Sequence, residues 1–442
     1  MNQEDAVTYI AAPGGILQGN IRVPGDKSIS HRAIMLGALA DGVTEVEGFL
    51  EGEDSLATLR AFQAMGVSIE RPGPGRVIIH GVGLHGLRAP EGPIYLGNSG
   101  TSMRLLSGIL AAQPFDTVLE GDASLMQRPM KRVTVPLGQM GARIDTSGAG
   151  TPPLKIHGGR ALEGIQYEMP VASAQVKSAL LLAGLYAGGE TCVTEPAPTR
   201  DHTERMLESF AWPAQRRDGC ICVQGGARLR ATRLRVPADI SSAAFFMVGA
   251  ALVPGSEVVL EEVGVNPTRI GIIHILRLMG ADIQLLHERL AGGEPVADIR
   301  VRGGELRGIR IPEADVPLAI DEFPAVFIAA ACARGTTVLT GAEELRVKES
   351  DRIQVMADGL QALGIDARPT TDGMVIEGGA LHGGEVDSHG DHRIAMAFAM
   401  AALRASGEIR ILDCANVATS FPGFDALARR SGIGLRVDPA HA

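Results

Sequence analysis

Lys27, Ser28, Ser30, His31 and Arg32 crowd into the stretch Pro24-Gly25-Asp26-Lys27-Ser28-Ile29-Ser30-His31-Arg32, a set of side chains suited to holding an anion. Pro-Gly makes a turn, Asp26 can cap, and the apolar run from Ala33 to Ala40 continues as a helix. Free N–H groups and the helix dipole then favour negative charge at the same place as the cations. Ser28 and Arg32 stand four apart and share a face. A solvated, capped helix start carries the same letters, so the rest of the chain decides between the two readings.

A second stretch, Leu96-Gly97-Asn98-Ser99-Gly100-Thr101-Ser102-Met103-Arg104, has the glycines and hydroxyls of a phosphate or carboxylate cradle. It lacks the Gly-Lys-Ser/Thr of a Walker loop, and a tight strand-to-helix turn explains it equally well. Gly81-Val82-Gly83-Leu84-His85-Gly86 spells a dinucleotide fingerprint, but Pro90 and Pro93 follow where a helix must begin, so a nucleotide cofactor is unsupported. Lys348-Glu349-Ser350-Asp351-Arg352 reads either as a surface ion-pair ladder or as an acid, Glu349, positioned among cations. Asp321, expected at the end of an apolar strand, either caps the next helix or serves as a base. Ser388-His389-Gly390-Asp391-His392-Arg393 hints at a metal, yet no second cluster completes a ligand set, and none is expected. No Gly-x-Ser-x-Gly elbow supports a hydrolase.

These groups recur at helix starts because the chain repeats. An apolar helix of small residues, a Gly-containing turn and a β-branched strand appear over 28–47, 100–120, 174–194, 240–260, 322–340 and 391–412. A second amphipathic segment follows each, ending at Met65-Gly66, Met140-Gly141, Met279-Gly280 or Leu363-Gly364, with degenerate versions near Trp212-Pro213 and Ser431-Gly432. The period of about 74 residues accommodates two helices and roughly four strands. Six such units predict an α/β protein of two domains with three repeats each: 20–236, and 1–19 with 237–442. The segment from Tyr9 to Gly19 is strand-like and is expected to pair back into the second domain. Helix starts carrying Lys27, Arg32, Arg104, Ser173, Gln175, Lys177 and Arg393, with Arg128, Arg200, Lys348 and Arg352 from second segments, are expected to converge on a cleft between the halves.

Composition excludes several classes. The chain has 442 residues, a formal net charge of −10, and 4% aromatic residues. That balance disfavours a general nucleic-acid binder, an anionic-membrane binder and a base-stacking platform. Any anion site must be local. The apolar runs, such as 243–253, are too short to span a bilayer, and the acidic N-terminus predicts no signal peptide. The five cysteines have no zinc spacing and are expected to be reduced in a cytoplasm; Cys220 and Cys222 share a strand face without a completing partner.

Gly25 to Arg32, Leu96 to Arg104, Ala172-Ser173-Ala174-Gln175-Val176-Lys177-Ser178-Ala179, Lys348 to Arg352, Asp391-His392-Arg393 and Thr419-Ser420-Phe421-Pro422 occur in order along nearly the whole chain. Together they resemble the 5-enolpyruvylshikimate-3-phosphate synthases, or 3-phosphoshikimate 1-carboxyvinyltransferases. The resemblance implies an inside-out α/β barrel fold, with six two-helix, four-strand units, three per domain. It implies transfer of the enolpyruvyl group of phosphoenolpyruvate to the 5-hydroxyl of shikimate 3-phosphate, with phosphate released, in the route to aromatic amino acids. No metal or organic cofactor is implied, and a monomer is the family expectation.

Carried across, the resemblance implies that Lys27, Ser28, Arg32, Ser173, Ala174, Gln175, Arg200, Asp321 and Lys348 hold shikimate 3-phosphate. Lys27, Gly100, Thr101, Arg128, Gln175, Arg352 and Arg393 would hold phosphoenolpyruvate, whose anionic groups suit guanidinium forks. Asp321 is expected to be the base, Glu349 the acid, and Lys27 a stabiliser of charge on oxygen. Thr419 replaces a lysine, and Leu105 a proline, of one family branch; the sequence is closest to the second branch, which includes glyphosate-tolerant members. Such a member carries alanine at the position of Gly100, so glyphosate is expected to bind this chain in competition with phosphoenolpyruvate. Two rivals remain: the related UDP-N-acetylglucosamine 1-carboxyvinyltransferase, whose loop cysteine has no counterpart near these motifs, and a non-catalytic repeat protein binding phosphorylated ligands.

Overall fold

The computed structural model describes residues 7–439. The chain divides into two compact units, the first comprising Gly25–Val236 and Leu290–Glu294, the second the chain up to Pro24, Pro237–Arg289 and Pro295 onward. Helices of the first unit are α1 (Lys27–Leu39), α2 (Glu53–Ala64), α3 (Gly100–Leu110), α4 (Lys131–Gln139), α5 (Ala174–Gly184) and α6 (His202–Ser209). Those of the second are α7 (Ile240–Leu252), α8 (Gly271–Leu278), α9 (Phe323–Cys332), α10 (Arg352–Ala362), α11 (His392–Ala401), α12 (Val417–Ser420) and α13 (Phe424–Arg430).

The repeat is visible in how the strands pair. The strand after each odd-numbered helix of the first unit (Asp41–Glu47, Thr117–Glu120, Glu190–Thr194) has one parallel neighbour and one antiparallel neighbour. A fourth strand, antiparallel again, completes each sheet. In the second unit Glu257–Gly264, Thr336–Leu339 and Ile409–Leu412 follow α7, α9 and α11 and take up the same pattern. There the parallel neighbour of Val338 is a single bridge to Arg310 rather than a full strand. Val7–Ala11, the first described strand, pairs with Ile409–Leu412 and Leu435–Pro439, all within the second unit.

The helix opening each repeat is buried nearly all round, which its small apolar residues permit. Every residue of α7 is buried, and α7, α9 and α11 pack on one another at the centre of their unit. Between α3 and α5 the approach is so close that a Cβ on Gly108 would collide with the Ala179 carbonyl. The second helices end as the Met-Gly pattern predicts. Gly66, Gly141, Gly280, Gly364 and Gly432 take φ between 88° and 105°. After α6, Ala211 adopts the left-handed conformation, with φ 63°, where the pattern had degenerated.

Three expectations need correction. Asp321 does not end a strand: Val316–Glu322 forms turns after a short 3-10 helix at Glu313–Asp315, because Pro317 removes a ladder donor from an already short run. Not all cysteines are reduced, since Cys192 and Cys222 form a disulfide; they face each other directly on paired antiparallel strands, with Cα atoms 4.0 Å apart. Lys177 does not line an open helix start, being fully buried. Among the described residues no helix is long and apolar enough to cross a membrane.

Candidate active site

The expected site residues fall into two groups, one in each unit. In the first, Asp26 caps α1 by accepting from the Ile29 N–H at 2.9 Å, which orients Lys27 and Ser28 at the helix start. Lys27 Nζ pairs with Asp54 Oδ2 at 3.0 Å, an acid in the first turn of α2. Arg32 lies buried one turn on, and each edge of its guanidinium is held. Its Nη1 donates to the Ser28 carbonyl at 2.9 Å, Nε to Thr203 Oγ1 at 2.7 Å and Nη2 to Ser178 Oγ at 2.7 Å. Burial pulls the Arg32 pKa down to about 10, an effect that Glu204 and Asp26 oppose and Arg200 reinforces, so the group stays cationic at neutrality.

Around the start of α3, Ser99 caps the helix by accepting from the Ser102 N–H at 3.1 Å. Arg104 Nη1 donates to Gln175 Oε1 at 2.6 Å, and Gln175 Nε2 donates to Thr101 Oγ1 at 3.0 Å, joining the starts of α3 and α5. Arg128 Nη2 donates to Asn98 Oδ1 at 2.5 Å. Gly100 sits between these cations: a Cβ there would lie 3.0 Å from Arg104 Nη1 and 3.1 Å from Arg128 Nη1. Ser173 caps α5, accepting from the Val176 N–H at 3.4 Å, and Ala174 opens that helix.

His31 and Ser30 serve the scaffold of this group. Ser30 Oγ accepts from the Leu50 N–H at 3.0 Å. His31 Nδ1 meets Thr58 Oγ1 at 2.7 Å, Thr58 Oγ1 meets Ser102 Oγ at 2.7 Å, and Ser102 Oγ meets Ser99 Oγ at 2.6 Å. This buried chain of hydrogen bonds ties α1, α2 and α3 together beneath their N-termini. Burial first, and then Lys27 and Arg32, push the His31 pKa well below its usual value, so the ring is neutral.

In the second unit the hub is Arg352, the first residue of α10 and fully buried. Its Nη1 lies 3.4 Å from Asp321 Oδ1, Nη2 2.7 Å from Glu349 Oε2, and Nε 2.8 Å from Asp391 Oδ2. Burial works against this charge, but Asp391, Glu349 and Asp321 outweigh it and raise the pKa, so Arg352 is permanently protonated. Lys348 Nζ adds a second cation 3.6 Å from Asp321 Oδ1, and 3.6 Å from Glu344 Oε1. Asp391 caps α11 by accepting from the Arg393 N–H at 3.0 Å, leaving the Arg393 side chain largely buried at that helix start. Asp321 does not cap α9, whose N-cap is Glu322.

The sequence thus led to the cations and carboxylates, and to Asn98 at its helix start, but missed other holders: Asp54, Ser178, Thr203 and the bridging role of Asp391. A helix-start acid at Asp54 was the one local signal available; the hydroxyls of Ser178 and Thr203 look like ordinary interior residues until the fold brings them to Arg32. The Ser388–Arg393 stretch gathers no metal-binding set. Among the described residues the one group with such geometry is Glu190 with Cys192 and Cys222, whose sulfurs are joined to each other.

Six sheets of one pairing pattern, one of them with three full strands, and the buried helices whose starts carry polar or charged groups define an α/β enzyme of the inside-out barrel type. Two solved structures of EPSP synthase from Acinetobacter baumannii share this fold, with TM-scores of 0.88 and 0.87 at 61% and 60% identity, each covering 98% of this chain and all of the other. The family model for EPSP synthase (3-phosphoshikimate 1-carboxyvinyltransferase) matches residues 11–427, and the chain belongs to that family. Relatives named 3-phosphoshikimate 1-carboxyvinyltransferase include one from Methylococcus capsulatus, 70% identical over 99% of this chain and 100% of the relative. Another, from Nitrosococcus oceani, is 67% identical over 98% of each.

Proposed function

We propose that this chain transfers the enolpyruvyl group of phosphoenolpyruvate to the 5-hydroxyl of shikimate 3-phosphate, releasing phosphate, as a step towards aromatic amino acids. The observation that carries the mechanism is the Arg352 guanidinium, which holds Asp321 and Glu349 at once. Two carboxylates gripped by one rigid fork keep a fixed separation, as a base and an acid acting on neighbouring atoms require.

In the first step Asp321 takes the 5-hydroxyl proton while that oxygen bonds to the phosphate-bearing carbon of phosphoenolpyruvate. Once phosphoenolpyruvate takes over the Arg352 fork, Glu349 is released from that ion pair, picks up a proton from solvent and gives it to the methylene carbon, which becomes methyl. The Glu349 carboxylate then takes a proton back from that methyl group of the tetrahedral ketal phosphate, the carbon–carbon double bond re-forms, and the carbon–oxygen bond breaks with its electron pair leaving on phosphate. Lys27 stabilises charge on oxygen in both steps. Shikimate 3-phosphate is held by Ser28, Arg32, Ser173, Ala174, Gln175, Arg200 and Lys348 besides Lys27 and Asp321. Phosphoenolpyruvate is held by Gly100, Thr101, Gln175, Arg128, Arg352 and Arg393 besides Lys27.

These residues belong to both halves of the chain, which supports the reading that the reaction takes place in a cleft between the two domains. Closure on both ligands excludes water from the intermediate. The enzyme works as a cytoplasmic monomer, and glyphosate competes with phosphoenolpyruvate. Phosphate release from phosphoenolpyruvate in the presence of shikimate 3-phosphate tests the proposal directly. Equal release with UDP-N-acetylglucosamine as acceptor, or no release with either, overturns it.

A further inference from the structure

We propose that Lys177, which touches neither substrate in the reading above, is the positioning residue that sets the phosphate-binding geometry of Arg32 and Arg200. The inference rests on that reading of the shikimate 3-phosphate site. Lys177 lies on α5, four residues past the Ser173 cap, and its side chain has no solvent exposure. A fully buried ammonium is costly unless paired. Its Nζ lies 2.8 Å from Glu204 Oε1 and 3.1 Å from Glu195 Oε1, and these carboxylates stand on either side of Arg200 in the sequence.

Glu195 follows the strand Glu190–Thr194, and Glu204 lies in the first turn of α6, so one ammonium grips both ends of the segment that carries Arg200. The grip reaches further through the neighbours of each partner. The Thr199 hydroxyl donates to Glu195 Oε1, which fixes the residue immediately before Arg200. Ser178, next to Lys177, and Thr203, next to Glu204, hydrogen-bond each other at 2.7 Å and both accept from Arg32. A shift of α6 relative to α5 therefore moves Thr203 away from Ser178 and takes both acceptors out of register with the Arg32 fork. Lys177 is the charged clamp that opposes that shift.

A clamp of this kind affects binding of one substrate and not the other. Lys177→Met keeps a similar shape, removes the charge, and leaves two buried carboxylates unpaired. Expected is a rise of about tenfold or more in KM for shikimate 3-phosphate, with KM for phosphoenolpyruvate within about twofold of the parent. Because unpaired buried charge also lowers stability, the variant is compared with Lys177→Met/Glu195→Gln/Glu204→Gln, in which all three members of the cluster are uncharged. Its melting temperature is expected to recover towards that of the parent while KM for shikimate 3-phosphate stays raised. Recovery of KM together with stability overturns the positioning role, as does an unchanged KM in folded Lys177→Met. If Lys177→Met does not fold, the triple variant alone decides by its KM. Absence of turnover by the parent chain overturns the functional reading instead, so the two failures are distinct.

Discussion

Arg352 donates through Nε to Asp391 Oδ2 across 2.8 Å, and neither side chain has any exposure to solvent. Asp391 also accepts from Ser350 Oγ at 3.1 Å and from the Arg393 N–H at 3.0 Å, so one carboxylate fixes the guanidinium and caps α11 together. Removing Asp391 leaves Arg352 its Glu349 and Asp321 partners but strips the acceptor from its buried Nε and from the Arg393 N–H, at a cost of about 2–3 kcal/mol. Asp391→Ala is therefore expected to lower unfolding free energy by about that amount, and Asp391→Asn, which keeps an acceptor for the Arg393 N–H, by less. Urea unfolding of the two variants measures it, and a loss under about 1 kcal/mol in Asp391→Ala contradicts the assignment.

Asp321 and Glu349 share the other two faces of the same guanidinium. Replacing either by its amide leaves a hydrogen-bonding group of the same shape and removes the proton transfer. Asp321→Asn and Glu349→Gln should each lower kcat by about a hundredfold or more while the circular dichroism spectrum and both KM values change little. Near-parental turnover in either variant would remove that carboxylate from the mechanism.

The sequence was most legible where a pattern is periodic. Apolar helices of small residues, Gly-terminated second helices and β-branched strands gave the six repeats, because each depends on local spacing that the fold reuses. It was least legible where partners are distant along the chain. Ser178 and Thr203 reach Arg32 across 146 and 171 positions, and although each lies near an expected site residue, local spacing does not show that they meet Arg32. Lys177 shows the converse error. A lysine at a helix start reads as a ligand group, but the fold supplied two carboxylates from a later segment and buried it. Asp321 was expected as a helix cap or a base at a strand end; the strand gave way to turns at Pro317, and its carboxylate lies instead 3.4 Å from Arg352 and 3.6 Å from Lys348.

Gly100 leaves the space that Arg104 and Arg128 border, and an added methyl would press on both guanidinium groups at 3.0 and 3.1 Å. Those contacts are tighter than ordinary van der Waals separation, so the two cations must shift by a few tenths of an ångström. Gly100→Ala is expected to raise KM for phosphoenolpyruvate about threefold to tenfold and the glyphosate inhibition constant by a larger factor, about a hundredfold. Steady-state inhibition with phosphoenolpyruvate varied gives both constants. Equal sensitivity of parent and variant would show that the space beside Gly100 does not receive the inhibitor.

His31 gives the molecule a pH dependence of stability. Its ring is fully buried, with Nδ1 bonded to Thr58, and burial together with Lys27 and Arg32 depresses its folded pKa well below the unfolded value. Above the unfolded pKa, about 6.5, neither state takes up a proton there and His31 makes no difference to the pH profile. Below it the unfolded chain binds a proton that the folded chain refuses, so stability falls as pH falls, with a limiting slope of about 1.4 kcal/mol per pH unit. Between pH 7 and 5.5 this one residue should cost about 1 kcal/mol. His31→Asn keeps a hydrogen-bonding group near Thr58 but cannot titrate, so its stability should decline less steeply by that amount over the same interval. Denaturant unfolding at pH 7, 6.2 and 5.5 compares the two, and parallel profiles for parent and variant would mean that His31 accepts a proton inside the fold.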